Sequence, residues 1–247
     1  MYEEENVEAS RPQGALAARP FIRARGLSQL SARVKSYENV DIDVAAGTAH
    51  AVCAADNSGK TELLLTLAGR MRPTRGTLTV GGVTADTLVG LSHVRPFASL
   101  GFFENVNDVE MVLRVHVVAS AELGLAGKRS GHAATQAFLE AWDLADVADT
   151  SIEELDRYTF DRLGIALGMA HDPRLLVVDD IESSLTEHQS HKLIGELRGI
   201  AHTMGTTICC GVTDYDLAVL FDGATCINDD ARAQAAAWAR KHDKEVA

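Results

Sequence analysis

The 247-residue chain is 46% hydrophobic and 23% charged, too apolar for a disordered protein and long enough to bury a real core. Its 23 Lys and Arg stand against 35 Asp and Glu, a formal charge of −12, which excludes the basic face that nucleic acid or an anionic lipid surface demands. No stretch reaches the roughly 18 uninterrupted apolar residues of a membrane span, since the most apolar window, Met111 to Leu125, is broken by Arg114, His116 and Glu122.

Residues 1–20 mix Glu3, Glu4, Glu5 and Glu8 with Pro12, Gly14 and Pro20 and lack periodicity, so they read as a disordered acidic tail. That start has neither the positive charge nor the apolar run of a secretory or transit signal, which points to a cytoplasmic protein. Short strand-like runs follow at Phe21 to Gly26, Val40 to Val44, Thr48 to Ala55 and Thr77 to Val80, with turns signalled at Ala46-Gly47, Arg75-Gly76 and Gly81-Gly82. One helix interrupts them: Lys60 to Arg70 is a string of good helix formers stopped by Gly69 and Pro73. From about Leu91 to Gly168 the pattern turns helical, at Val109 to Leu125, Gly131 to Trp142 and Ile152 to Met169, with no strand among them. Strands return at Leu175 to Val178 and Thr206 to Val212, around a helix from Thr186 to Met204. A helix near Tyr215 to Leu220, a strand at Ala224 to Asn228 and a last helix from Asp230, which can cap it, to Val246 complete the order. Unbroken apolar runs such as Leu175 to Val178 and Ile208 to Val212 suit strands covered on both faces, so the expected fold class is α/β with a mostly parallel sheet. Cys53, Cys209, Cys210 and Cys226 sit in apolar runs without metal-ligand spacing and read as buried, reduced thiols.

The segment richest in chemistry runs from Val52 to Thr61, between a strand and a helix. A loop there can wrap a phosphate with backbone N–H groups, the helix N-terminus adds positive potential, a Lys reaches the β/γ oxygens and a Ser or Thr hydroxyl meets Mg²⁺. Asn57, Ser58, Gly59, Lys60 and Thr61 are the candidates for those roles, with phosphate groups and Mg²⁺ as the ligands. The full glycine pattern is not met, because Ala54 stands at its first glycine and Asn57 at a middle one, although Asn tolerates a left-handed backbone better than most residues. The same residues also suit an ordinary helix start, with Asn57 or Ser58 as N-cap and Lys60 solvated. Asp179, at the C-terminal end of the apolar run Leu175 to Val178, can hold Mg²⁺ together with Thr61 or can cap the next turn.

Beyond this loop, Leu67 to Gly82, with its Pro73-Thr74-Arg75-Gly76 turn, and Ala170 to Asp180, with Asp172-Pro173 before the strand, make the chain from Phe21 to Asp229 resemble the nucleotide-binding subunits of ATP-binding cassette (ABC) transporters. The resemblance implies a P-loop core at 21–91 and 169–247, with an edge antiparallel sheet, and a helical subdomain inserted at 92–168. It also implies an integral membrane transport subunit as partner, a homodimer or heterodimer with another ABC ATPase subunit, and a place at the inner face of the cell membrane.

Other motifs of that family are altered. Its signature segment aligns with Leu155-Asp156-Arg157-Tyr158-Thr159, where Asp156 brings negative charge and Tyr158 bulk in place of Ser and Gly. Asp180 occupies the place of the catalytic Glu, a weak candidate base set back by one methylene. The switch His is absent from Thr213-Asp214-Tyr215, the glutamine is absent from Val94-Arg95-Pro96-Phe97, and the adenine-stacking aromatic is absent from Gln29-Leu30-Ser31, with Tyr37 the nearest and suited to a core contact. Phe97, Phe102 and Phe103 suit either the membrane-subunit contact or the subdomain core. The expectation is an ATP-binding subunit of a transport or export system with weak or no hydrolysis of its own. Its rivals are a non-catalytic pseudo-ATPase module and a soluble P-loop kinase of small molecules. Glu187, His188 and His191 lie at metal-compatible helical spacing but read as a solvated face, and His50 and His116 as satisfied buried or interface residues.

Overall fold

The computed structural model describes residues 19–30, 35–55, 58–103 and 106–242. Most of the expected acidic tail and the candidate Asn57 lie outside them. The chain first builds an antiparallel sheet from β1 (Ile22–Leu30), β2 (Lys35–Val44), β4 (Arg75–Val80) and β5 (Val83–Thr84), in the order β2-β1-β4-β5. Alternation dictates its faces: Ile22, Ala24 and Leu27 of β1 point into the core, while Arg23 and Arg25 stay outside against Asp43.

The second sheet is parallel throughout, in the order β6-β7-β8-β3-β9, from β3 (Ala49–Cys53), β6 (Ala98–Leu100), β7 (Leu175–Val178), β8 (Thr207–Val212) and β9 (Gly223–Cys226). Its inner strands β3, β7 and β8 are covered on both faces. Val52, Leu175, Val177 and Cys209 face one core with the antiparallel sheet and α1 (Lys60–Leu67), whereas Ala51, Leu176, Val178 and Cys210 face the other with α6 (Glu187–Met204). Helix α1 is therefore buried nearly all round, which its unbroken Leu63-Leu64-Leu65 run permits. Helix α6 is amphipathic, starts with a capping box between Thr186 and Gln189 and stops at Gly205, whose φ is 72°.

The middle of the chain forms a third core around Val115, Leu139, Ile152 and Leu163, from α3 (Val115–Leu125), α4 (His132–Ala141) and α5 (Arg157–Met169). Helix α5 is shared, because Ile165 and Met169 face the second core. A short α2 (Leu88–Val94) precedes β6. The strand β6 corrects the strand-free reading of 92–168: its three residues pair with β7 at the edge of the parallel sheet, so the helices of the insertion begin after it. Three residues are too few for periodicity to reveal. At the C-terminal end, α7 (Tyr215–Ala218) and α8 (Asp229–His242) follow the sheet, and the cap expected from Asp230 comes instead from Asn228, whose Oδ1 accepts the Ala231 N–H at 2.9 Å. All four cysteines are free, and burial pushes the Cys53 and Cys209 thiols up to about 12. Among the described residues no helix is long and apolar enough to cross a membrane.

Candidate functional site

Strand β3 lies between β8 and β9, and α1 begins at Lys60, seven residues after its last residue, Cys53. Gly59 is the N-cap with φ 88°, and a Cβ there would lie 2.0 Å from the Ser36 carbonyl oxygen, so only glycine fits. Gly59 has no side chain with which to cap this helix start. Its first N–H groups have no acceptor within the helix, and they point to the end where the helix dipole is positive. Lys60, the first helical residue, is 7% exposed, and its Nζ donates to Thr213 Oγ1. The solvated-lysine reading therefore does not describe its position. Ser58 turns its hydroxyl to the Ala55 carbonyl.

Thr61 Oγ1 donates to Asp179 Oδ2, at the C-terminal end of β7, and Asp179 Oδ1 accepts the Asp180 N–H at 3.0 Å. Burial raises the Asp179 pKa, against the Thr61 hydrogen bond and the Lys60 charge. Two oxygen-bearing side chains and an ammonium thus converge at one helix start. Asp180 follows with φ 49° and lines the same cavity.

That cavity, about 1140 Å³, has a polar wall of Gly59, Lys60, Thr61, Asp179 and Asp180 and an apolar one of Phe102, Val109, Met111, Leu155 and Phe160. It extends to the start of α5. There Asp156 is the N-cap: its carboxylate accepts the Thr159 N–H at 3.1 Å and the Thr159 hydroxyl at 2.6 Å, which hold its pKa below the usual carboxylate range. Arg157 folds back, 3.0 Å from Asp161 and over the Phe160 ring. Burial pushes Asp161 up to about 6, with Arg157 opposing and the charges of Asp180 and Asp156 adding. Tyr158 points to α6, donating to Glu196 at 2.7 Å.

Several further candidates have structural partners. Tyr37 is buried and donates to Thr66 Oγ1 at 2.8 Å. Phe103 is buried, while the half-buried Phe102 packs on Phe160 and the half-buried Phe97 on Phe21. His50 Nε2 meets Thr225 Oγ1 at 2.8 Å, burial lowers its pKa to about 4, and His188 and His191 are exposed. Val94 to Phe97 lie before β6, so the chain leaves the sheet for the helices at Gly101, not where the glutamine was sought.

Three residues escaped the sequence reading. Gly211 in β8 makes room for Asp179, whose Oδ1 would lie 2.3 Å from a Cβ there; a glycine inside an apolar strand was the available signal. Asn107 holds the exit from β6, accepting the Phe103 N–H and donating to the Gly101 carbonyl, both at 2.8 Å. Glu182 accepts the N–H of Thr213 and, at 3.3 Å, that of Asp214, bridging the turns after β7 and β8. No sequence signal announces that bridge.

A parallel sheet flanked by an antiparallel one, with a lysine-led helix at the centre and helices inserted before β7, defines a P-loop cassette fold. A dimeric ATP-binding cassette, solved in a post-hydrolysis state with ADP and phosphate bound, superimposes with a TM-score of 0.70 at 18% identity over 84% of this chain and 94% of its own. No protein-family model matches the chain. Among curated proteins, the methionine import ATP-binding protein MetN of Streptomyces avermitilis is 27% identical over 191 residues, 71% of this chain and 53% of MetN. The phosphonates import ATP-binding protein PhnC 3 of Nostoc is 25% identical over 203 residues, 75% of this chain and 74% of that protein. The chain is thus similar, at under 30% identity, to ATP-binding subunits of ABC transporters. It spans only 36% to 59% of the length of three such relatives.

Proposed function

We propose that this chain is the ATP-binding subunit of an ABC-type membrane transport system, with weak or no ATP hydrolysis of its own. The observation that carries this reading is the convergence of Lys60, Thr61 and Asp179 at the start of α1. Those groups fit a nucleotide phosphate and its magnesium. The N–H groups and the ammonium suit an anion, and a hydroxyl paired with a carboxylate is a hard-oxygen donor set of the kind Mg²⁺ takes. Thr61 and Asp179 would hold the ion, and Ser58, Gly59 and Lys60 the phosphates. When bound, Mg²⁺ neutralises charge that develops on the phosphates.

Asp180 is the nearest carboxylate that could orient an attacking water, but its side chain is one methylene shorter than the glutamate expected there. A misplacement of about 1 Å can cost on the order of 10²-fold in rate. Asp156 fills the α5 N-terminus with the chain's own negative charge, which supports slow turnover as well. The partners of this reading are an integral membrane subunit and a second ABC ATPase subunit, and its location is the inner face of the cell membrane. The dimeric structural neighbour supports assembly in pairs, and the import ATP-binding relatives support import as the direction.

Calorimetric titration of Mg-ATP into the purified chain tests the reading, with Lys60→Ala as control. Binding by the wild type that is lost in the variant is the expected result. A folded wild-type chain that binds no nucleotide overturns it and favours the pseudo-ATPase module, which the closed α5 start already suits.

A further inference from the structure

Two of the four cysteines are neighbours across a pair of strands. Cys53 closes β3 and Cys226 closes β9, and they are register partners in the parallel pairing of those strands. Partners in a parallel pair lie on one face of the sheet, and both side chains pack into the core that α6 covers. Neighbouring strands run about 4.8 Å apart, inside the roughly 4.4–6.8 Å between Cα atoms that a disulfide spans. The other two cysteines lack this geometry. Cys209 and Cys210 are consecutive in β8 and face opposite cores. Cys210 shares the Cys53 face but is the register partner of Ala51, which sets it roughly 8 Å from Cys53 between Cα atoms, too far to bridge.

The members of the pair differ in access. Cys53 is fully buried, and its single S–H is shared between the Thr213 carbonyl, 3.7 Å away, and the Cys226 sulfur. Cys226 is half-buried in β9, an edge strand of the sheet. Burial raises the pKa of both thiols, and Cys53 also faces Glu182, Lys60 and Asp214. At Cys226 the Cys53 hydrogen bond and the Arg232 charge oppose burial, so this sulfur ionises more readily and, being the more exposed, reacts first.

We propose that Cys53 and Cys226 form a reversible oxidation site, which a low-molecular-weight disulfide such as oxidised glutathione closes into a bridge between β3 and β9. The Cys226 thiolate attacks one sulfur of oxidised glutathione, forming a mixed disulfide and releasing one glutathione, which takes up the Cys226 proton. Cys53 then attacks Cys226 Sγ, and its proton passes to the second glutathione as that leaves. Two protein thiols are oxidised to one disulfide, and one glutathione disulfide is reduced to two thiols. The bridge ties an edge strand to an inner one and closes most of the chain into a single loop, which restricts the unfolded chain and so stabilises the folded one. This site stands whether or not the chain binds nucleotide.

The test is incubation of the reduced full chain with oxidised glutathione, followed by alkylation, digestion without reductant and mass spectrometry. The Cys53 and Cys226 peptides are expected to be joined and the peptide that carries Cys209 and Cys210 to be free. The melting temperature is expected to rise by about 5 °C or more and to return when dithiothreitol is added. Cys226→Ser, at a half-buried edge position, is expected to show neither the joined peptides nor the shift. Cys53→Ala is expected to stop at the mixed disulfide on Cys226; if it loses its secondary structure by circular dichroism, Cys226→Ser carries the comparison. Glutathione retained on Cys226 of the wild type with Cys53 free, a bridge to Cys209 or Cys210, or no reaction at all overturns the proposal. Joined peptides that leave the melting temperature unchanged or lower it show a bridge that the native sheet does not accommodate, and overturn it as well.

Discussion

Two helices begin at the edges of one cavity, and they treat their N-termini in opposite ways. Helix α1 starts at Gly59, which has no side chain to cap it, with a buried lysine as its first residue. Helix α5 starts at Asp156, whose carboxylate satisfies the Thr159 N–H and hydroxyl, with its next residue, Arg157, turned back to Asp161. An N-cap side chain contributes about 1 kcal/mol to a helix, and a negative charge at that end adds a few tenths more. Helix α5 takes that stability from within the chain. Helix α1 takes no such cap from Gly59, and burial of Leu63, Leu64 and Leu67 between the sheets stabilises it. The difference separates a helix start available to an outside anion from one that already holds an anion of its own.

The largest effect expected on this contrast is at Gly59. A left-handed φ of 88° costs a residue with a Cβ roughly 1–3 kcal/mol, and the Ser36 carbonyl 2.0 Å from that Cβ must also move. Gly59→Ala is expected to lower stability by about 3 kcal/mol or more in urea unfolding and to abolish Mg-ATP binding. A variant of unchanged stability would show that the open start of α1 does not depend on this glycine.

How much of this contrast was legible in the sequence differs between its two sides. Lys60, Thr61 and Asp179 could be named because each sits where a strand and a helix meet, and local patterning marks both. The run Leu175 to Val178 is a strand at those same bounds, since four buried apolar residues leave no other solution. Thr186 could be read as a helix start for a similar reason, with Gln189 three residues on. The direction taken by Arg157 could not be read, because it is set by a partner one helical turn away and by a ring stacked from the same helix. Glu182 and Thr213 meet across 31 positions through backbone N–H groups, a contact that leaves no trace in residue type. The strand β6 escaped because three residues next to Pro96 make a strand only when β7 is there to pair with them.

Asp161, beneath the start of α5, gives the next effect in size. Unfolded, it ionises near 3.8; folded, it keeps its proton up to about 6 because burial disfavours the charge. Between those values the folded chain binds more protons than the unfolded one, so this group's contribution to stability falls as pH rises through the window. Two units correspond to about 3 kcal/mol, an upper figure for a group that Arg157 partly compensates. Asp161→Asn keeps an acceptor for Arg157 and removes the titration. The variant is expected to gain stability relative to the wild type between pH 4 and pH 6.5, read from urea midpoints. A constant difference across that range would show that Asp161 ionises alike in both states.

The smallest effect, on stability at least, is the most direct probe of the contrast. Asp156→Ser replaces one good N-cap by another, so the Thr159 N–H keeps an acceptor and the expected stability change is within about 0.5 kcal/mol. Asp156→Ala, which leaves that N–H without a partner, is expected to cost about 1 kcal/mol. Serine differs from aspartate here by the charge and by the second oxygen that accepts the Thr159 hydroxyl. If the carboxylate is what closes the α5 start to anions, Asp156→Ser should show a larger rise in melting temperature with inorganic phosphate than the wild type does. In a Lys60→Ala background the α1 contribution to that rise is removed, and the gain from Asp156→Ser should persist. A gain that disappears with Lys60 would place the phosphate at α1 alone, and the two helix starts would then differ in capping but not in what they admit.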